Sequence, residues 1–177
     1  TNTDSLKDEL QLNTMQYSSK NQNAERFLAH AINSNHSDLL SMAQSIFEMF
    51  SKENNSFTIT HEIIKSSLIN PFIQTLLSLS YFYEIIISNN QYSVFLDFIS
   101  QILKQSKFLK KITFDNISFA KLNSNDTIFQ GKDIEKSFSS IAFVNGCDFT
   151  SNQFLIFLRD FSSYTGNIES VVIKNCK

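Results

Sequence analysis

The chain has 177 residues, enough for one domain with a real core. A formal net charge of -2 favours neither nucleic acid nor an anionic membrane surface, and no apolar run approaches membrane-spanning length. The composition is 42% hydrophobic with 18 Phe and no Trp, while 3 Gly and 1 Pro leave little room for flexible linkers.

Residues 1–23 are polar with few apolar anchors and read as a mobile lead-in or the frayed end of a helix. Residues 24–177 read as one repeat array. Within it, residues 24–33 suit a helix as well as they suit a strand frame. Residues 37–50 are a clear helix, capped by Ser37 or Asp38, with Leu39, Ala43, Ile46, Phe47 and Phe50 along one face. A strand follows at residues 56–60, with Phe57 and Ile59 inward. Thr60 then caps a short helix carrying Ile63, Ile64 and Leu68. Asn70 and Pro71 mark a break and restart, with Asn70 as N-cap and Pro71 in the first turn. Phe72, Ile73, Leu76, Leu77 and Leu79 share the next apolar face.

Residues 82–92 introduce a frame that recurs. Large apolar residues stand at its positions 1, 4 and 6: Phe82, Ile85 and Ile87; Leu109, Ile112 and Phe114; Phe138, Ile141 and Phe143; Ile168, Val171 and Ile173. The frames start at 82, 109, 138 and 168, which are 27, 29 and 30 residues apart. A period of this size marks a solenoid. Position 9 suits a small polar or thiol side chain that caps the turn leaving the strand. Asn90 and Cys176 fit it; Ile117 and Gly146 do not, and one extra residue in the third frame would move its thiol to Cys147. Cys147 and Cys176 are read as reduced thiols in neighbouring turns, although their placement does not exclude a disulfide.

Helices keep the same register. Residues 92–106 carry Phe95, Leu96, Ile99, Ile102 and Leu103 as a stripe. Residues 120–137 are the least regular connection, anchored by Leu122, Ile128, Phe129 and Ile134 and interrupted by Gly131. Thr150 and Gln153 form a capping box for a helix carrying Phe154, Leu155, Phe157, Leu158 and Phe161. The pairs Phe95–Leu96 and Phe154–Leu155 lie 59 residues apart, two periods of the frame.

These frames resemble the leucine-rich-repeat family in its longer, ribonuclease-inhibitor-like form, with Phe and Ile in place of most of the usual Leu. The resemblance implies an α/β solenoid of horseshoe shape with a period of about 27–30 residues, parallel strands on the concave face and helices on the convex face. It also implies a chain that continues past residue 177, since Lys177 stands inside a frame.

No reaction chemistry accompanies the frames. His30, His36 and His61 have no ligand spacing, no Gly-rich phosphate loop exists, and no nucleophile constellation stands out. The reading is a non-enzyme with no cofactor, no metal site and no small-molecule substrate. Lys104, Lys107, Lys110 and Lys111 form a small basic cluster near a helix end. The expected site is the solvent-facing side of the strands, meeting a protein partner. Its candidate residues are Tyr83, Glu84 and Ile86; Lys110, Lys111 and Thr113; Ala142 and Val144; and Glu169, Val172 and Lys174.

What the resemblance implies for function is a cytoplasmic interaction scaffold. Its repeat style is similar to that of the CARMIL-type regulators of actin capping, which would point to the actin cytoskeleton. The alternative is a substrate-reading adaptor of the F-box type for a ubiquitin ligase.

Overall fold

Short runs with a large apolar residue at every second position favour strands, because successive side chains point to opposite faces. The computed structural model describes residues 24, 27, 29, 40–52, 55–79, 82–120, 134, 135, 137–162, 164 and 166–177. Five strands, β1 (Ser56–Ile59), β2 (Glu84–Gln91), β3 (Lys111–Ser118), β4 (Ser140–Val144) and β5 (Ser170–Lys174), form one sheet in chain order. Every neighbouring pair is parallel. Helices α1 (Leu40–Ser51), α2 (His61–Lys65), α3 (Ile69–Ser78), α4 (Leu96–Gln105) and α5 (Ser151–Ser162) precede or connect the strands. The fold is α/β, as the sequence led us to expect.

The register carries the period into space. Phe57 lies beside Ile85, Ile85 beside Ile112, Ile112 beside Ile141, and Ile141 beside Val171, in steps of 28, 27, 29 and 30 residues. On β1 to β4 the two inward positions are essentially without exposure, and with the helices they form one apolar core. Phenylalanine joins the layers. Phe50 of α1 meets Phe57 of β1 at 5.3 Å and Phe72 of α3 at 5.4 Å. At the other end Phe143 of β4 stacks on Phe114 of β3 at 5.3 Å and meets Phe157 of α5 edge-on at 5.0 Å. Such pairs each add about 0.5–1.5 kcal/mol beyond the area they bury.

Several local expectations are corrected. α3 starts at Ile69 with Leu68 as its N-cap, so Asn70 does not cap it and Pro71 stands third. Proline is tolerated there because the first four helical N–H groups have no partner inside the helix. Thr60 is the N-cap residue of α2 but makes no capping bond. Its hydroxyl lies beside Glu62 and, with that residue's own backbone, holds the carboxyl below its ordinary value. Residues 92–94 form a 3-10 turn before α4, and Phe98 joins the buried stripe while Leu96 is half-buried.

On α5 the buried positions are Gln153, Ile156, Phe157 and Asp160, whereas Leu155 and Leu158 are 59% and 50% exposed. The inward residues of β5, Val171 and Ile173, are also about half exposed, unlike those of β1, the other edge strand. The expectations for residues 1–23, His30, His36, Ser37, Asp38, Leu39, Leu122, Ile128, Phe129 and Gly131 lie outside the described residues, as do the side chains of Asn90 and Phe161.

Candidate functional site

The face opposite the core is built in rows by the register. Ser56, Glu84, Lys111, Ser140 and Ser170 form one row, and Thr58, Ile86, Thr113, Ala142 and Val172 the next. Asp115, Val144 and Lys174 form a third row, with Ser88 beside Asp115.

Just before β2, β3, β4 and β5 the backbone repeats one device. The N–H groups of Tyr83 and Glu84 both donate to Asn55 O, and those of Lys110 and Lys111 both donate to Tyr83 O. The N–H groups of Ser139 and Ser140 share Lys110 O, and those of Glu169 and Ser170 share Ser139 O. This paired donation lines up Tyr83, Lys110, Ser139 and Glu169 along the entry edge of the sheet.

One cluster of charge is built around Glu84 and Lys111 on β2 and β3. The Glu84 carboxylate pairs with Lys111 Nζ at 2.9 Å and accepts from the Thr113 hydroxyl and, at 3.3 Å, from Ser56 Oγ. Its side chain is 16% exposed and that of Lys111 is 33% exposed. A half-buried pair of this kind contributes about 1 kcal/mol, and its larger effect is to fix which atoms face solvent. Lys110 and Tyr83 stand exposed beside it, and so does Phe108, which the sequence reading did not single out.

Small apolar side chains stand among these charges. Val172 is 42% exposed, and Ile86 and Val144 are half-buried. Two candidates do not present the surface expected of them: Ala142 is 4% exposed and Thr113 is 9% exposed. Ala142 lies between the larger Thr113 and Val172 on the flanking strands, and Thr113 lies beside Ile86 with its hydroxyl on the Glu84 carboxylate. Glu169 and Lys174 are exposed at the β5 end.

The exit edge holds what sequence reasoning missed. Asn89, Asn116, Asn145 and Asn175 all have positive φ, from 53° to 57°, and stand at frame position 8 of the four units. Asparagine enters this left-handed region more readily than other side-chain-bearing residues, and there it turns the chain out of the strand. Asn116 Nδ2 donates to Asn89 Oδ1 and Asn145 Nδ2 donates to Asp115 Oδ1, both at 3.0 Å. The repeated Asn at position 8 of the frame was the available signal.

The two thiols occupy equivalent places one turn apart. Cys147 Sγ donates to Phe114 O at 3.2 Å, and Cys176 Sγ donates to Phe143 O at 3.3 Å. Both are free thiols, and Gly146, at φ 101°, is the extra residue of its unit. Burial pushes the Cys147 thiol above its ordinary value.

A cleft of about 300 Å³ lies at the same edge, lined by Ala120, Asp148, Phe149, Thr150, Gln153 and Lys177. The Asp148 carboxylate there already accepts from Phe119 N and Ser118 Oγ. Among the described residues there is no group of three His, Cys, Asp or Glu that could hold a metal ion, and no helix is long and apolar enough to cross a membrane. Compared with protein-family models, curated proteins and solved structures, the chain finds no match.

Proposed function

We propose that this chain is a leucine-rich-repeat solenoid of the ribonuclease-inhibitor-like kind, and that it acts as a non-catalytic scaffold binding a partner protein across the outward face of its strands. The observation that carries the proposal is the sheet itself. Five parallel strands in chain order are offset by 27 to 30 residues, with one face packed into the core and the other bearing Tyr83, Lys110 and Val172 exposed. Charged residues at both ends of the face and the exposed Val172 among them offer a partner both orientation and apolar area. We also propose a cytoplasmic setting, which the two free thiols suit.

The test is comparative capture followed by titration. One bait is the native chain, a second carries Tyr83→Asp, Lys110→Asp and Val172→Asp, and a third carries Leu155→Asp and Leu158→Asp on α5. An actin-capping subunit, the candidate that the resemblance implies, is titrated first among the purified proteins. The scaffold reading expects a partner held by the first and third baits, whose affinity for the second is weaker by about 30-fold or more, as the loss of one hot spot of about 2 kcal/mol requires. Equal affinity for the first and second baits overturns the assignment to this face.

A further inference from the structure

Among all the asparagines of the chain, only Asn145 is followed by glycine. In that dipeptide the backbone nitrogen of the glycine is a nucleophile within reach of the asparagine carboxamide, and the missing Cβ leaves it unhindered. Gly146 N gives up its proton to water and bonds to Asn145 Cγ, and the side-chain nitrogen leaves as ammonia. Water then opens the five-membered imide at one of its two carbonyls, giving aspartate or isoaspartate. The reaction consumes one water, releases one ammonia and needs no oxidant.

Asn145 is exposed, so water reaches it, yet both reacting groups are engaged. Gly146 N–H donates to Asn175 O at 2.7 Å, and Asn145 N–H donates to Lys174 O at 3.1 Å, both just beyond or at the end of β5. On the opposite side the Asn145 carboxamide donates to Asp115 Oδ1 at 3.0 Å. Nucleophile and electrophile are therefore held by different neighbours, the turn after β5 and the strand β3.

We propose that Asn145–Gly146 is a deamidation site gated by the seating of β5. It is closed while the Asn175 carbonyl holds the Gly146 amide and open when that turn lifts. Val171 and Ile173 of β5 are about half exposed in this structure, so fewer buried contacts hold the β5 turn than hold the turns of β1 to β4. The product is not neutral for the fold. Aspartate at this position sets a carboxylate against Asp115 where a carboxamide donated, and isoaspartate lengthens the backbone between β4 and Cys147. Each opening therefore carries a chance of a one-way weakening of the β4–β5 edge, whatever partner the outward face binds.

The test follows Asn145 by peptide mass mapping that separates aspartate from isoaspartate, at mildly alkaline pH. The folded chain, the same chain in urea, and the variants Asn175→Gly and Asn175→Pro are compared. Glycine accepts the φ of 54° at position 175 and keeps the carbonyl in place, whereas proline, fixed near about -65°, moves it. The native chain and Asn175→Gly should react about tenfold or more slowly than the chain in urea, and Asn175→Pro should approach the urea rate. In parallel, Gly146 amide hydrogen exchange and the deamidation rate of the native chain are measured through a urea series and should rise together. Native deamidation as fast as in urea, or rates that do not follow Gly146 exchange, overturns the gate, and the second measurement stands even if the proline variant fails to fold.

Discussion

Replacing Gln153 by alanine should cost this protein about 2–3 kcal/mol, well beyond the loss of an ordinary helix cap. Gln153 is third in α5, 5% exposed, and joins three groups. Its Oε1 accepts from Thr150 N at 2.7 Å, its backbone N–H donates to Thr150 Oγ1 at 3.3 Å, and its Nε2 donates to Phe119 O at 2.6 Å. The first two are the reciprocal bonds of a capping box, and the third ties the helix to the chain leaving β3.

Without the side chain, the Phe119 carbonyl loses this buried donor, a cost of about 1–3 kcal/mol, and the Thr150 amide falls back on water. Thr150→Ala removes only the longer cap bond and should cost about 1 kcal/mol. Gln153→Glu keeps an acceptor for Thr150 N but turns an oxygen toward Phe119 O, so at neutral pH it should cost at least as much as alanine. Urea unfolding followed by circular dichroism measures all three, and the thermal midpoint should fall by about 2–4 °C for each kcal/mol. If Gln153→Ala costs no more than Thr150→Ala, or Gln153→Glu is as stable as the native chain, Gln153 is a helix cap and nothing more.

Two further outcomes are expected. Gly146→Ala should cost about 1–3 kcal/mol, because Gly146 has φ 101° and an added Cβ would lie 3.1 Å from Asn116 Oδ1; the urea midpoint should drop with its slope unchanged. Stability should also fall in alkali. Burial raises the Cys147 thiol, and burial followed by the charge of Glu135 raises the Tyr164 phenol, whose hydroxyl donates to Glu135 O and Phe138 O. A folded pKa above the unfolded one means a contribution fully present below the unfolded value and lost as pH rises through the folded one. The decline should therefore begin near the unfolded thiol value of about 8.5 and continue past about 10 as the phenol joins. Urea midpoints across this range check it, and Cys147→Ser should remove the first part of the decline.

The strands were legible because one physical demand repeats in each of them. A pair such as Ile112 and Phe114 must find an apolar layer, and only a neighbour offset by one period supplies it. The face of α5 was not legible in the same way. Apolar spacing placed Phe157 in the stripe, where it is buried, but it also placed Leu155 and Leu158 there, which are exposed, and it left out Ile156, which is buried beside the turn where Gln153 is bonded to Phe119 O. Among the candidate site residues, Tyr83, Lys110, Glu169, Val172 and Lys174 stand exposed, while Thr113 and Ala142 are covered. Alternation assigns a face; how much of a short side chain remains open depends on the four residues around it.

By itself, the amino-acid sequence determined the strand positions, the inward apolar pairs and the capping box of α5, because each rests on residues close together in the chain, and it determined the period because one such local pattern recurs. Tertiary structure alone decided which side chains the stacking covers, which carbonyl each thiol meets, and that four asparagines turn the chain at one edge. Those contacts join residues 26 to 34 positions apart, such as Tyr164 with Phe138 and Gln153 with Phe119, so their geometry exists only once neighbouring strands are in register.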